Sequence, residues 1–133
     1  MPRPDPSRLT AAQLELMNVL WEHRECSVTF LWERLAETRA VARNTVLTTV
    51  QRLVQRGFVA ARRVGRADLY RARVQRETTA RGRVRDLVDQ VFGGLAERLV
   101  HSVLGDGMLD RAEIARLRRA LDAAERDGEE VSR

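Results

Sequence analysis

Asn44, Thr48, Gln51 and Gln55 follow one another at spacings of four, three and four residues, which sets four amide or hydroxyl side chains along one line of an α-helix. Thr45 and Arg52 flank that line on one side and Leu47 on the other. Side chains of these types hydrogen-bond to the edges of bases, and arginine adds a charged contact to guanine or to phosphate. An ordinary solvated helix face mixes acidic and basic residues in i,i+4 pairs, whereas residues 42–56 contain no acid. The plain alternative is a polar face that merely lacks acids. Arg62, Arg63 and Arg66 come next, close enough to repel one another unless an anion lies across them.

The elements that must position these groups are readable. Val46, Val50 and Leu53 give residues 42–56 one apolar stripe, and Gly57 stands where a left-handed C-terminal cap suits glycine. Residues 58–64 and 68–74 alternate as two strands around Gly65, with Tyr70, Ala72 and Val74 on one face and Leu69, Arg71 and Arg73 on the other. A helix followed at once by a basic hairpin is the layout of a winged helix-turn-helix, with the helix in the major groove and the wing on the backbone.

Charge is concentrated where that layout needs it. Residues 1–74 carry 13 Arg against 7 acids, a net of +6, while residues 75–133 carry 11 against 12, a net of −1. Between Arg43 and Arg73 there are 8 Arg and one acid, Asp68. A local basic excess is the footprint expected of a polyanion site. A single cysteine, Cys26, excludes an internal disulfide and a zinc-finger framework. No apolar run approaches a membrane span or a signal-peptide core, so a cytoplasmic protein without membrane insertion is expected. His23 and His101 lie in separate helical regions with no partners for nucleophilic catalysis, and there is no glycine-rich phosphate loop. Neither enzyme activity, nor a cofactor, nor a metal is expected; His23 with Cys26 has a ligand-like spacing but lacks two further ligands.

Taken in order, residues 1–8 read as a loose arm. Leu9, Thr10, Gln13 and Leu14 carry both a capping box and a hydrophobic staple, opening a helix to about His23 with Leu14, Met17, Leu20 and Trp21 inward. Ser27 caps a second helix with Val28, Leu31 and Leu35 inward; Phe30 and Trp32 are expected to pack at its edges, with stacking on bases as their alternative. Three helices and a hairpin complete a domain over residues 9–74. Residues 75–133 read as three further helices: 77–92 ended by Gly93 and Gly94, a second from Leu95 to Leu104, and a third opened by Asp110 with Glu113, fraying from 125 onward. Val84, Leu87, Val88, Val91, Phe92, Leu95, Leu99, Val103, Leu104, Ile114, Leu117 and Leu121 form wide apolar stripes. Three short helices make a poor core alone, so these stripes are expected to meet a second copy of the chain; folding back on the winged domain is the alternative.

With these elements placed, the chain resembles the penicillinase-repressor (BlaI/MecI/CopY) family over residues 9–121. The likeness rests on Leu9-Thr10 with Glu15 and Leu20-Trp21, on Asn44-Thr45-Val46-Leu47-Thr48-Thr49-Val50 and Gln51-Arg52-Leu53, on Gly57-Phe58-Val59, Gly65-Arg66-Ala67 and Tyr70, on Phe92-Gly93-Gly94, and on Glu113-Ile114 with Leu117 and Leu121. It implies a homodimeric repressor on a dyad-symmetric operator, with an N-terminal winged domain on DNA and intertwined C-terminal helices. Two release routes of the family lack their residues here. Ser102-Val103 stand where the β-lactam-responsive members carry an Asn-Phe cleavage bond, and the tail has no cysteines like those of the copper-responsive members. The inducing protease or ligand is therefore not specified.

The combined expectation is a mainly α protein with a β-hairpin wing and a C-terminal three-helix dimerisation region. Asn44, Thr45, Thr48, Gln51 and Arg52 are the groove-facing candidates, and Arg43, Arg62, Arg63 and Arg66 those for phosphates or the adjacent minor groove. Asn44 has a second possible role as helix cap, and Thr45 as a packing residue. The competing function is a winged-helix protein-interaction adaptor that does not read DNA sequence.

Overall fold

The computed structural model of the chain describes residues 4–5 and 8–131, and of residues 130 and 131 the backbone alone; most of the arm expected over residues 1–8 lies outside the described residues. The helix α1 (Ala11–His23) begins as its sequence dictates. Thr10 Oγ1 accepts from the backbone N–H of Gln13 at 3.1 Å, and Gln13 Oε1 accepts from that of Thr10 at 3.0 Å. A short strand β1 (Glu25–Ser27) leads to α2 (Val28–Ala36), capped by Ser27. The helix α3 (Arg43–Gln55) and the hairpin of β2 (Val59–Val64) and β3 (Ala67–Ala72) follow.

The sheet has three strands, not the two of a simple hairpin, in the order β1-β3-β2 with both pairings antiparallel. β1 was missed because three residues between a helix end and a helix cap carry no readable period. Its place is fixed by packing: Cys26 lies opposite Tyr70, and both are buried. The inward set of α1 also differs from the expected one. Gln13, Leu16, Met17 and Leu20 are buried, while Leu14 and Trp21 are half-buried against the core. Around these gather Leu31, Leu35, Val46, Val50, Leu53, Phe58 and Val59.

Gly57 ends α3 with φ +86°. Its N–H donates to the carbonyl of Val54 at 3.1 Å, and that of Phe58 to Leu53 at 3.0 Å, which is the paired closure of a Schellman motif with Leu53 and Phe58 as its apolar contact. Two tryptophans fix the ends of loops: Trp32 Nε1 donates to the Val41 carbonyl at 2.8 Å, and Trp21 Nε1 to that of Val74 at 2.9 Å.

The remaining helices are α4 (Arg76–Val91), α5 (Ala96–Gly105) and α6 (Arg111–Val131). Asp110 and Glu113 form the expected capping box at the start of α6, with distances of 2.8 and 3.2 Å. The helix α6 runs on through the stretch from residue 125 to Val131. The chain divides into two compact units, Met1–Asp86 and Leu87–Arg133. The division falls inside α4, beyond residue 74, because the start of that helix is tied to the winged unit. Arg83 Nη1 donates to the Leu9 carbonyl at 3.0 Å, Arg76 lies over the Trp21 ring at 5.5 Å, and Thr79 is buried.

Candidate nucleic-acid interface

One face of α3 is turned into the core by Val46, Val50 and Leu53, so helical geometry turns the other outward. Asn44, Thr45, Thr48, Gln51, Arg52 and Gln55 are all exposed, and Leu47 is half-buried beside them. The N-cap position belongs to Ala42, which makes no side-chain cap bond, so Asn44 sits inside the first turn and is not the cap. The Thr48 hydroxyl donates to the Asn44 carbonyl at 3.0 Å. Its lone pairs are left outward, where they suit a donor.

Beside this face, Arg43, Leu47, Ser27, Val28, Thr29, Arg66, Ala67, Asp68 and Tyr70 line a cleft of about 260 Å³ between α3, the start of α2 and the wing. Arg43 Nε donates to Thr29 Oγ1 at 3.2 Å, which holds that guanidinium at the cleft. In the turn between β2 and β3, Gly65 has φ +62°, and Arg66 is carried next to it at the tip.

The basic residues do not form the uniform cluster that their spacing suggests. Arg62 is held by Glu25 through two bonds of 2.7 Å, Nε to Oε2 and Nη2 to Oε1. Arg63 reaches Asp68 at 3.4 Å. Arg56 is structural: it donates to Gln13 Oε1 at 3.0 Å and to the Arg8 carbonyl at 3.2 Å, and stacks over Phe58. Among the described residues, Arg52 and Arg66 make no ion pair or side-chain hydrogen bond. The anions that quiet the wing are thus partly internal. Glu25 escaped notice because it precedes the basic segment by many residues and joins it only through β1.

The hydrogen bond from Arg62, with the charges of Arg62 and Arg71, holds the Glu25 carboxyl below its usual range against the opposing effect of desolvation. The Cys26 thiol is pushed up by burial and by the neighbouring Glu25 charge. His23 meets Phe30 edge-on at 5.0 Å. No group of three or more His, Cys, Asp or Glu able to hold a metal occurs among the described residues. No helix among them is long and apolar enough to cross a membrane.

The sites expected in the second unit are mostly open. Leu87, Val91, Leu95, Leu104, Leu117 and Leu121 are exposed, as is Val84 just before it; Phe92, Leu99, Val103 and Ile114 are half-buried, and Val88 is buried.

The sequence pattern of the family described as penicillinase repressor matches residues 9–123. A penicillinase repressor of Bacillus licheniformis is 22% identical over 115 residues, which is 86% of this chain and 90% of that protein. The solution structure of the DNA-binding domain of the repressor BlaI superposes with a TM-score of 0.51 at 24% identity, covering 57% of this chain and 90% of that one. The oxidized form of MarR from E. coli gives 0.52 at 20% identity, covering 91% and 79%. At such identities the two structures speak for the fold, a winged helix, and the family match speaks for the lineage. The chain belongs to the penicillinase repressor family, and is a DNA-binding transcriptional repressor and not an enzyme.

Proposed function

We propose that the protein works in the cytoplasm as a homodimer on a pseudo-palindromic operator, with α3 in the major groove and the wing along the backbone. The observation that carries this reading is the exposed, acid-free face of α3 beside Arg66, which makes no ion pair or side-chain hydrogen bond among the described residues. Asn44, Thr45, Thr48, Gln51 and Arg52 are the groove-facing set. Arg43 and Arg66 meet phosphates from either side of the cleft, Arg63 does so after parting from Asp68, and Arg62 is the most restrained of the four. The absence of a side-chain cap on α3 favours this arrangement, since the free N–H groups of its first turn suit a phosphate. The second copy is supported by the exposed apolar residues of α4, α5 and α6 and of the cap before α5, with Leu87, Leu95, Leu104, Leu117 and Leu121 between 41% and 63% exposed.

Genomic fragments retained by the purified protein, sequenced and then titrated against salt, test this reading. The expected result is a two-fold symmetric motif whose half-sites lie roughly one helical turn apart, or a multiple of it. Gln51→Ala relaxes the matching position of each half-site at a cost of about 1–3 kcal/mol per contact, whereas Arg66→Ala weakens all sequences alike and lowers the salt slope by about 1 per protomer. Retained DNA without any shared motif would favour the adaptor function instead.

A further inference from the structure

We propose that Glu25 sets the sequence-independent affinity of the protein for DNA: by neutralising Arg62 on the outer face of the wing, it limits the hold on any duplex. This rests on the DNA-binding reading above. The register places Glu25 opposite Arg71 on β3, and Arg62 opposite Leu69. Alternation then sets Glu25, Arg71, Leu69 and Arg62 on one side of the sheet, away from the buried Cys26 and Tyr70. Glu25 on one edge strand therefore reaches over the central strand to the guanidinium on the other edge. Both its oxygens are used, at 2.7 Å each.

The side chain of Glu25 is 26% exposed and that of Arg62 is 61% exposed, so the acid is shielded while the arginine remains within reach of a passing phosphate. To meet that phosphate as a full cation, Arg62 must give up a bidentate carboxylate. Arg66 at the tip has no such tie among the described residues, and Arg63 has a single long one. Restraint on the wing cations thus falls from base to tip.

Sequence-independent affinity comes from cations that displace counterions at phosphates. A closed Arg–Glu pair carries no net charge and adds little to that term. Base contacts from α3 lie on another element and do not depend on the pair. Holding Arg62 neutral therefore lowers the affinity for any duplex and leaves discrimination at the operator as it was.

The test uses the full chain and two duplexes, one carrying the selected operator and one a scrambled sequence, each titrated with salt. Glu25→Gln is expected to tighten binding to both duplexes severalfold, to steepen each log–log salt slope by about 0.9 for every arginine freed, one in each protomer, and to leave the operator-to-scrambled affinity ratio unchanged. The double variant Glu25→Gln, Arg62→Ala removes the freed cation and is expected to lose the gain, with affinity and salt slope on both duplexes at or below the wild-type values. Glu25→Ala repeats the first arm with the carboxylate removed altogether, and melting curves confirm that each variant is folded. Unchanged scrambled binding in both single variants overturns the proposal, as does a double variant that keeps the gain. A wild-type protein with no operator preference overturns the DNA-binding reading as well, which separates the two failures.

Discussion

The two units spend similar sequence patterns in opposite ways. In the winged unit the apolar positions of α1, α2, α3 and the sheet meet in one cluster, where Leu16, Met17, Leu31, Val50 and Leu53 have no exposure at all. From residue 87 onward, Val88 is the single buried residue among those described, and α5 contains none. Local signals do not separate the units, because each opens a helix with the same reciprocal cap, Thr10 with Gln13 and Asp110 with Glu113. An amphipathic period says that a helix has an inside; it does not say which surface closes over it.

The contrast can be broken most sharply at the core. Phe58→Ala in the winged unit should cost about 3–5 kcal/mol in urea unfolding, while Leu121→Ala should cost under about 0.5 kcal/mol in dilute protein. If Leu121→Ala grows costlier as concentration rises, a second copy covers that residue; if its cost stays large on dilution, the stripe is closed within the protomer and the contrast fails. Glycines offer a smaller version. Gly57→Ala meets φ +86° and should destabilise by about 1–2 kcal/mol, whereas Gly105, inside α5 with open space around it, should accept alanine without loss. Next come the caps, each removed by alanine at a cost of about 1 kcal/mol. Thr10→Ala is expected to lower the melting temperature of the winged unit, and Asp110→Ala to speed amide exchange at the start of α6 alone.

The smallest effect concerns acid. The folded state depresses the Glu25 carboxyl below its ordinary 4.5, so the pair's contribution to stability is present above that value and fades as pH falls through the depressed one. Glu25→Gln should flatten the acid limb of the stability curve slightly, by an amount limited by solvent around the pair. An unchanged acid limb would show the pair to be neutral for folding.

What the sequence disclosed was local. The Thr10 box, the Ser27 cap, the Gly57 stop and the Gly65 turn each act within a few residues, so their partners are adjacent in the chain. What escaped was long-range. Leu16 took the inward place assigned to Leu14 and Trp21 because the surrounding elements, not the helix period alone, choose the buried line. β1 exists by pairing with residues 69–71, and Glu25 reaches Arg62 only once that pairing is made. The charge count of residues 43–73 thus overstated the free cations, since a segment sum cannot include an acid supplied from outside it. The exposed face of α3 was legible because Val46, Val50 and Leu53 settle which way the helix turns.

Arg56 has a consequence for the heat of association. One guanidinium ties the end of α3 to Gln13 and to the Arg8 carbonyl, so the last turn of α3 is fastened to the entry of α1. With the Schellman closure at Gly57 and the Trp32 bond to Val41 holding either end, little ordering of α3 is left to be done when a duplex arrives. Docking should then show in calorimetry the modest heat-capacity change of surfaces meeting, without the large negative excess that accompanies a helix folding on its target.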